Sequence, residues 1–254
     1  MIRIFYKIRQ KLFAEGKFSH YILYALGEII LIVIGILIAI TIDNNNELRK
    51  IKRMEQVYLT GLKSEFEQNK NKLQTLIETN RLNYEDAKKL ANFIATDSFP
   101  DEKTLSNLLF NAFSYEIAYN PNNSLLTEVI STGYLKYISN PTLRHELTAW
   151  ESVIQGINRQ EAGLREQRKM VVDIFRSESG SIRTILEGSG VALQEMQLKD
   201  DETLHSNIPV LQTREFENVV LLYALSGIKT ETNHYNPLTD RIDRILRLIE
   251  IEIK

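Results

Sequence analysis

Few residue patterns in this chain have a spacing that could support catalysis or metal binding. Glu202 and His205 have the Glu-x-x-His spacing of carboxylate-bridged di-iron bundles, but such a centre needs a second copy and two further glutamates. Gly188-Ser189-Gly190 lacks the lysine and helix context of a phosphate-binding loop. The chain has no cysteine, which excludes disulfides, thiolate nucleophiles and cysteine metal sites. We therefore expect no catalytic residue, no metal ligand and no cofactor.

Glu28 is the ionisable residue with the most unusual sequence environment, because it lies inside an otherwise uncharged apolar run at residues 22–42. At about 1.5 Å per residue, that run matches the roughly 30 Å hydrocarbon core of a bilayer. An ionised carboxylate there costs a few kcal/mol on insertion scales. We predict either that Glu28 snorkels to the head groups or pairs with a basic N-terminal side chain, or that it joins a carboxylate ring in an oligomer.

Small residues recur along one face of the same segment. Gly35 and Ala39 form a small-xxx-small pair, and Gly27 lies eight residues before Gly35 on nearly the same face. Such stripes let helices approach closely in lipid. We predict that this face packs against a second copy of the chain or against another membrane protein.

Residues 22–42 are predicted to form a transmembrane helix, because hydrocarbon offers backbone amides no other partner. A cleaved signal peptide and a buried core helix are the alternatives. The preceding basic region is long for a signal peptide, and no small-x-small cleavage site follows the run. The run is also too long and too uniformly apolar for a core helix.

Residues 1–17 are predicted to form a basic amphipathic helix on the membrane surface, with a less ordered basic segment as the alternative. The side chains predicted to contact lipid head groups are Arg3, Lys7, Arg9, Lys11 and Lys17. Basic residues before the span favour a cytoplasmic N-terminus. The net charge of the whole chain is only −2, so nucleic acid is not an expected partner.

Residues 43–254 are predicted to form an all-α bundle of about five or six helices outside the membrane, with a loop-rich insertion at about 177–208. Asn140-Pro141 and Asn236-Pro237 have the pattern of an N-cap followed by a first-turn proline. One later helix is indicated by an apolar group at Phe216, Val219, Leu222 and Tyr223.

A long helix is predicted from Thr142, because apolar residues repeat there every seven positions. These residues are Leu143, Trp150, Ile157, Leu164 and Val171. Glu161 and Arg168 interrupt the second register of the same helix. We therefore predict the face of an antiparallel bundle rather than a free coiled coil.

Two segments carry a family resemblance: Phe13-Ala-Glu-Gly-Lys17, and residues 24–47, which run from Tyr24-Ala-Leu-Gly-Glu28 to Asn44-Asn-Asn-Glu47. They resemble an uncharacterised family of small single-span membrane proteins of Gram-negative bacteria. The likeness is specific over residues 13–47 and looser at 131–144. Family members often carry a Trp in the Asn-rich segment, where this chain has asparagine. The resemblance implies an inner-membrane location and no activity.

From these features we predict a non-enzymatic, membrane-anchored scaffold or accessory subunit in the bacterial inner membrane, with its helical domain in the periplasm. It would form a homo-oligomer through the transmembrane helix and the helix that follows. A ligand sensor acting through a partner is the first alternative, and an oligomeric channel with a Glu28 ring is the second. A sensor requires a concave pocket with convergent polar groups, whereas a scaffold requires a large apolar surface.

Overall fold

The computed structural model describes residues 18–96, 98–199 and 203–253. Within these ranges the chain forms helices and turns and contains no strand, which confirms the predicted all-α class. The chain divides into two compact units, Met1–Val57 and Tyr58–Lys254. The amphipathic helix predicted at residues 1–17 lies outside the described residues.

Helix α1, Phe18–Thr96, carries the apolar run of the first unit and continues into the second. Its most apolar window has a mean hydropathy of 2.8, and none of that window is buried. In the described part of the chain, α1 is the helix that is long and apolar enough to cross a membrane. Leu31, for example, is 68% exposed, which an aqueous environment would penalise.

The second unit is a helical bundle that contains the C-terminal part of α1. The further helices are α2 (Glu102–Phe113), α3 (Ser124–Ser131), α4 (Pro141–Arg176), α5 (Ile182–Gly188), α6 (Val191–Gln194), α7 (Ile208–Leu211), α8 (Arg214–Thr230) and α9 (Asn236–Glu252). A 3₁₀ turn at Tyr134–Tyr137 precedes α4, and a π-helical turn at Glu231–Tyr235 joins α8 to α9. The segment predicted to be loop-rich holds the short helices α5 and α6 and the start of α7.

Helix α4 begins as its sequence predicts. The Asn140 side chain accepts hydrogen bonds from the backbone amides of Thr142 and Leu143, both at 3.0 Å, and Pro141 occupies the first turn. Every residue of the predicted seven-residue (heptad) repeat is buried. Trp150, the second residue of the repeat, has its ring edge-on to Phe66 at a centroid distance of 4.8 Å.

The start of α3 depends on a residue sixty positions earlier. Asn123 is its N-cap by position, but its side-chain oxygen accepts from Trp150 Nε1 at 2.9 Å and caps no backbone amide. The buried Glu65 carboxylate on α1 instead accepts from the amides of Leu125 and Leu126, at 2.8 and 3.1 Å. A carboxylate at a helix N-terminus stabilises the exposed amides and the positive end of the helix dipole, so this contact ties α3 to α1.

The predicted N-cap at Asn236 is wrong. The chain runs from α8 through the π-helical turn into α9, and Asn236 has helical dihedral angles rather than the extended ones of a cap. Pro237 lacks an amide hydrogen, and its ring would clash with a carbonyl one turn earlier in a regular α-helix. The wider π turn immediately before it accommodates the proline without ending the helix.

Candidate functional site

The π-helical turn is an irregular segment whose ends lie in the bundle interior. It buries Glu231 and Tyr235, which lie at its two ends. Single π turns cost regular hydrogen bonding and are found frequently at functional sites. The polar groups that this turn brings together therefore form the first candidate site.

Glu161 is a buried carboxylate that joins three parts of the bundle. It is 2% exposed and accepts hydrogen bonds from the Tyr235 hydroxyl at 2.6 Å and the Tyr119 backbone amide at 2.8 Å. Burial raises the pKa of Glu161, although both hydrogen bonds oppose the shift. Glu161 thus holds the π turn, α4 and the segment before α3 at one point. In the sequence its only signal is the interruption of an apolar register.

Glu231 joins the same turn to α1. Its carboxylate forms an ion pair with Arg81 and accepts from the Tyr84 hydroxyl at 3.1 Å. The carboxylate beside Arg81 raises the pKa of the guanidinium. One turn earlier, Asn80 Nδ2 donates to the Gly227 carbonyl at 2.9 Å. No feature of the sequence marks Glu231 as buried.

Glu146 holds α9 against α4. Arg241 Nε donates to one carboxylate oxygen at 2.6 Å, and Arg244 Nη1 donates to the other at 3.2 Å. Burial alone would raise the pKa of Glu146, but the two guanidinium groups outweigh it and hold that pKa below its ordinary value. The two arginines also line an open groove of about 390 Å³ with His234.

We expect Glu146→Gln to destabilise the protein by about 1–3 kcal/mol near pH 7, since charged hydrogen bonds are lost. A depressed pKa in the folded state stabilises the fold above the unfolded pKa of about 4.3 and ceases to do so as the pH falls through the folded pKa. The penalty should therefore shrink toward acid pH. Urea unfolding at pH 7 and pH 3 measures it, with the exposed Glu151→Gln on the same helix as control. A penalty independent of pH would contradict the assignment.

A second candidate site is a groove of about 240 Å³ between α2, α4 and α5, called here the Arg168 groove. Its apolar walls include Phe110, Phe113, Val172, Phe175, Ile182 and Leu186. Two guanidinium groups line it. Arg176 pairs with Asp173 at 3.3 Å, and Arg168 donates to the carbonyls of Phe113 at 2.8 Å and Ser114 at 3.0 Å. Among the described residues, no carboxylate lies within 4.0 Å of the Arg168 guanidinium.

Two hydroxyl groups lie near Arg168, and neither carries a negative charge that would compensate the guanidinium. Burial raises the pKa of Tyr223 to about 12, so this phenol is neutral and donates its proton to the Ala112 carbonyl at 2.9 Å. Ser114 also lines the groove, and its buried hydroxyl has no hydrogen-bond partner in the described structure. Buried hydroxyls without a partner are uncommon in folded proteins.

A third candidate is an exposed apolar surface on α8, called here the α8 seam. It comprises Leu222 and Leu225, each 52% exposed, flanked by Leu221 at 49%. Glu215 and Lys229 lie seven residues before and after Leu222 and are exposed too. Sequence analysis grouped Leu222 with the buried Phe216 and Tyr223, but the helix turns Leu222 outward.

The residues singled out within the apolar run all lie on α1. The side chain of Glu28 is half-buried. An added Cβ at Gly27 or Gly35 would meet no atom within 4 Å, and Ala39 is exposed, so the described part of the chain leaves this face open. The carboxylate ring at Glu28 remains a prediction.

Other predicted residues are only partly described. The basic residues assigned to lipid head groups all fall at positions 1–17, outside the described residues. Glu202 is also outside them, whereas His205 is described. Within the described ranges, no three His, Asp or Glu side chains are placed to hold a metal ion.

Over its described residues the chain is therefore an all-α protein, with one helix apolar enough to cross a membrane and a bundle tied by buried carboxylates. The chain belongs to the family of unknown function DUF6090, whose model matches residues 28–154. This confirms the resemblance to an uncharacterised family. The match includes the Asn-rich segment, α2, α3 and the first part of α4, and ends before the π turn. No curated protein and no solved structure matches the chain.

Proposed function

We propose that this protein is a non-enzymatic, membrane-anchored scaffold or accessory subunit that self-associates. The observation that carries the proposal is the apolar window of α1, of which nothing is buried. Side chains of this kind are stable in lipid or against another apolar helix. By resemblance to its family, the chain would sit in the inner membrane of a Gram-negative bacterium. The basic N-terminal residues favour a cytoplasmic N-terminus and a periplasmic bundle.

The α8 seam supports self-association in the bundle as well. An antiparallel pairing of two α8 helices about Leu222 places the two Leu222 side chains together, because a twofold axis pairs a patch with itself. Glu215 of one copy then lies opposite Lys229 of the other, at both ends of the pairing. The seam is therefore complementary to itself in charge as well as in shape.

The α8 seam alone is too small for a stable dimer in solution, so it would need a membrane anchor to be populated. A stable soluble interface buries about 800 Å² on each partner, more than three leucines on one helix provide. Anchoring two copies in the same bilayer raises their effective concentration, so a weak contact becomes populated without new interactions. We propose the small-residue face of α1 and the α8 seam as two separate self-association surfaces, each to be tested on its own.

Cysteine cross-linking tests this, because the natural chain has no cysteine. In membranes washed with alkaline carbonate, the full-length chain should remain bound, and oxidation should convert most of Leu222→Cys to a disulfide-linked dimer. Disulfides form only when the two Cα atoms lie within about 7 Å.

The matched control is Leu193→Cys on α6, where the natural leucine is 62% exposed. Its cross-linking should be several-fold slower. Release of the chain by carbonate would contradict the anchor, and equal rates for the two variants would contradict the seam. A charge test is independent: Glu215→Lys should weaken cross-linking of Leu222→Cys, and adding Lys229→Glu should restore it.

A ligand sensor that acts through a partner is the second candidate function. It is favoured by the Arg168 groove, which is concave and is lined by two guanidinium groups and a serine among apolar walls. Such a combination is typical of small-molecule sites. Binding at this groove does not depend on self-association.

A further inference from the structure

We propose that the Arg168 groove binds a short amphipathic carboxylate, such as a medium-chain fatty acid, with its carboxylate at Arg168 and its chain against the aromatic walls. This goes beyond the scaffold function and gives the sensor candidate a ligand class. Two independent features of the groove support it: an unneutralised cation and an unpaired hydroxyl.

The guanidinium has donors left for a ligand. Of its five N–H groups, the structure uses one on Nε and one on Nη2 for the carbonyls of Phe113 and Ser114. The three that remain have no partner among the described residues. The C-terminal end of α2 carries a partial negative charge that compensates the cation in part. A full carboxylate would complete the compensation with charge-assisted hydrogen bonds.

The walls select an apolar chain. Phe110, Phe113 and Phe175 present rings to the groove, and Val172, Ile182 and Leu186 add aliphatic surface. Burying such surface against a hydrocarbon chain is favourable in proportion to its area. A phosphate or another compact polar anion would leave these walls in water, so the groove favours an acid with a hydrocarbon tail.

The size of the groove limits that tail. Its volume of about 240 Å³ lies below the roughly 300 Å³ at which drug-sized ligands begin to fit. A whole phospholipid is therefore too large. The Ser114 hydroxyl has no partner in the described structure and no exposed surface of its own, so a ligand would reach it only after rotation of the Ser114 side chain.

Calorimetric titration of the full-length chain in lipid nanodiscs tests the proposal, with empty nanodiscs as the blank. Detergent is avoided because it is itself amphipathic. The probes are octanoate and octanol, which share a hydrocarbon tail and differ in the carboxylate. We expect saturable one-to-one binding of octanoate at least tenfold tighter than that of octanol.

Arg168 variants separate a direct contact from a structural effect, since Arg168 also caps α2. Arg168→Gln should weaken the binding of octanoate at least tenfold and change the binding of octanol less than twofold. Arg168→Lys should retain part of the preference for octanoate over octanol. The matched control is Arg159→Gln, an exposed residue on the same helix that does not line the groove. It should bind both probes as the natural chain does.

Ile182→Trp, at the rim, tests the groove without touching the charge or the α2 cap. The added ring should occlude the cavity and abolish binding of both probes. The proposal is overturned if octanoate and octanol bind equally to the natural chain, if neither binds, or if Ile182→Trp leaves octanoate binding unchanged. Far-UV circular dichroism and urea unfolding verify that each variant is folded.

Discussion

Trp150→Ala is expected to lower the free energy of unfolding by about 3–5 kcal/mol, the range for removing a large aromatic side chain from a core. Trp150 is 1% exposed and contacts the Phe66 ring of α1 edge-on. Its indole nitrogen also donates to Asn123 at the start of α3. The substitution would therefore loosen α1, α3 and α4 together, against a total stability of about 5–15 kcal/mol for a typical domain.

Urea unfolding of the full-length chain in detergent, followed by far-UV circular dichroism, measures the effect. Trp150→Phe keeps an aromatic ring beside Phe66 and loses only the indole hydrogen bond, so its loss should be about 1–2 kcal/mol. Leu193→Ala, on the exposed surface of α6, should stay within about 0.5 kcal/mol. If Trp150→Ala cost no more than Leu193→Ala, the buried position of the indole would be wrong.

Glu161→Ala is the second large effect, with an expected loss of about 2–5 kcal/mol. Without the carboxylate, the buried Tyr235 hydroxyl and Tyr119 amide have no hydrogen-bond acceptor, and each unpaired buried group costs about 1–3 kcal/mol. Tyr235→Phe removes one of these hydrogen bonds and should cost less. Trp150 fluorescence during urea unfolding measures the natural chain and both variants.

Glu161→Gln should show a pH dependence opposite to that of Glu146→Gln. Burial raises the folded-state pKa of Glu161, so the folded chain retains this proton at higher pH than the unfolded chain does. Stability contributed by Glu161 is therefore fully present below the unfolded pKa of about 4.3 and declines as the pH rises through the folded pKa. The penalty of Glu161→Gln should be largest in acid and shrink toward neutral pH. A penalty that grows toward neutral pH would contradict the raised pKa.

The sequence alone was sufficient for the helical class, the apolar run and the buried face of α4. Each is a local pattern: the length of an apolar run, a repeat with a period of seven residues, or the Asn140 cap beside its proline. These patterns survive because burying one apolar face of a helix is required in any arrangement of its neighbours. Membership of an uncharacterised family was also visible in the sequence, and the family match at residues 28–154 bears it out.

The candidate sites could be predicted only in part. Glu161 and Arg168 were visible as interruptions of an apolar register, which marked them as exceptions without indicating their partners. Glu146 and Glu231 gave no signal, because an exposed glutamate and a buried, paired one are identical in sequence. Leu222 was grouped with the apolar residues that indicated a helix, and only the rotation of α8 in the bundle exposes it.

Tertiary structure alone decided the features that join distant segments. Asn236 is not a cap because the π turn before it continues the helix while Tyr235 bonds to Glu161, 74 positions away. Glu65 caps α3 from another helix because Trp150 occupies the Asn123 side chain. A local pattern records how a residue relates to its near neighbours along the chain. Hydrogen bonds and charges are satisfied by whatever groups folding brings within about 3 Å, and that proximity exists only in the assembled bundle.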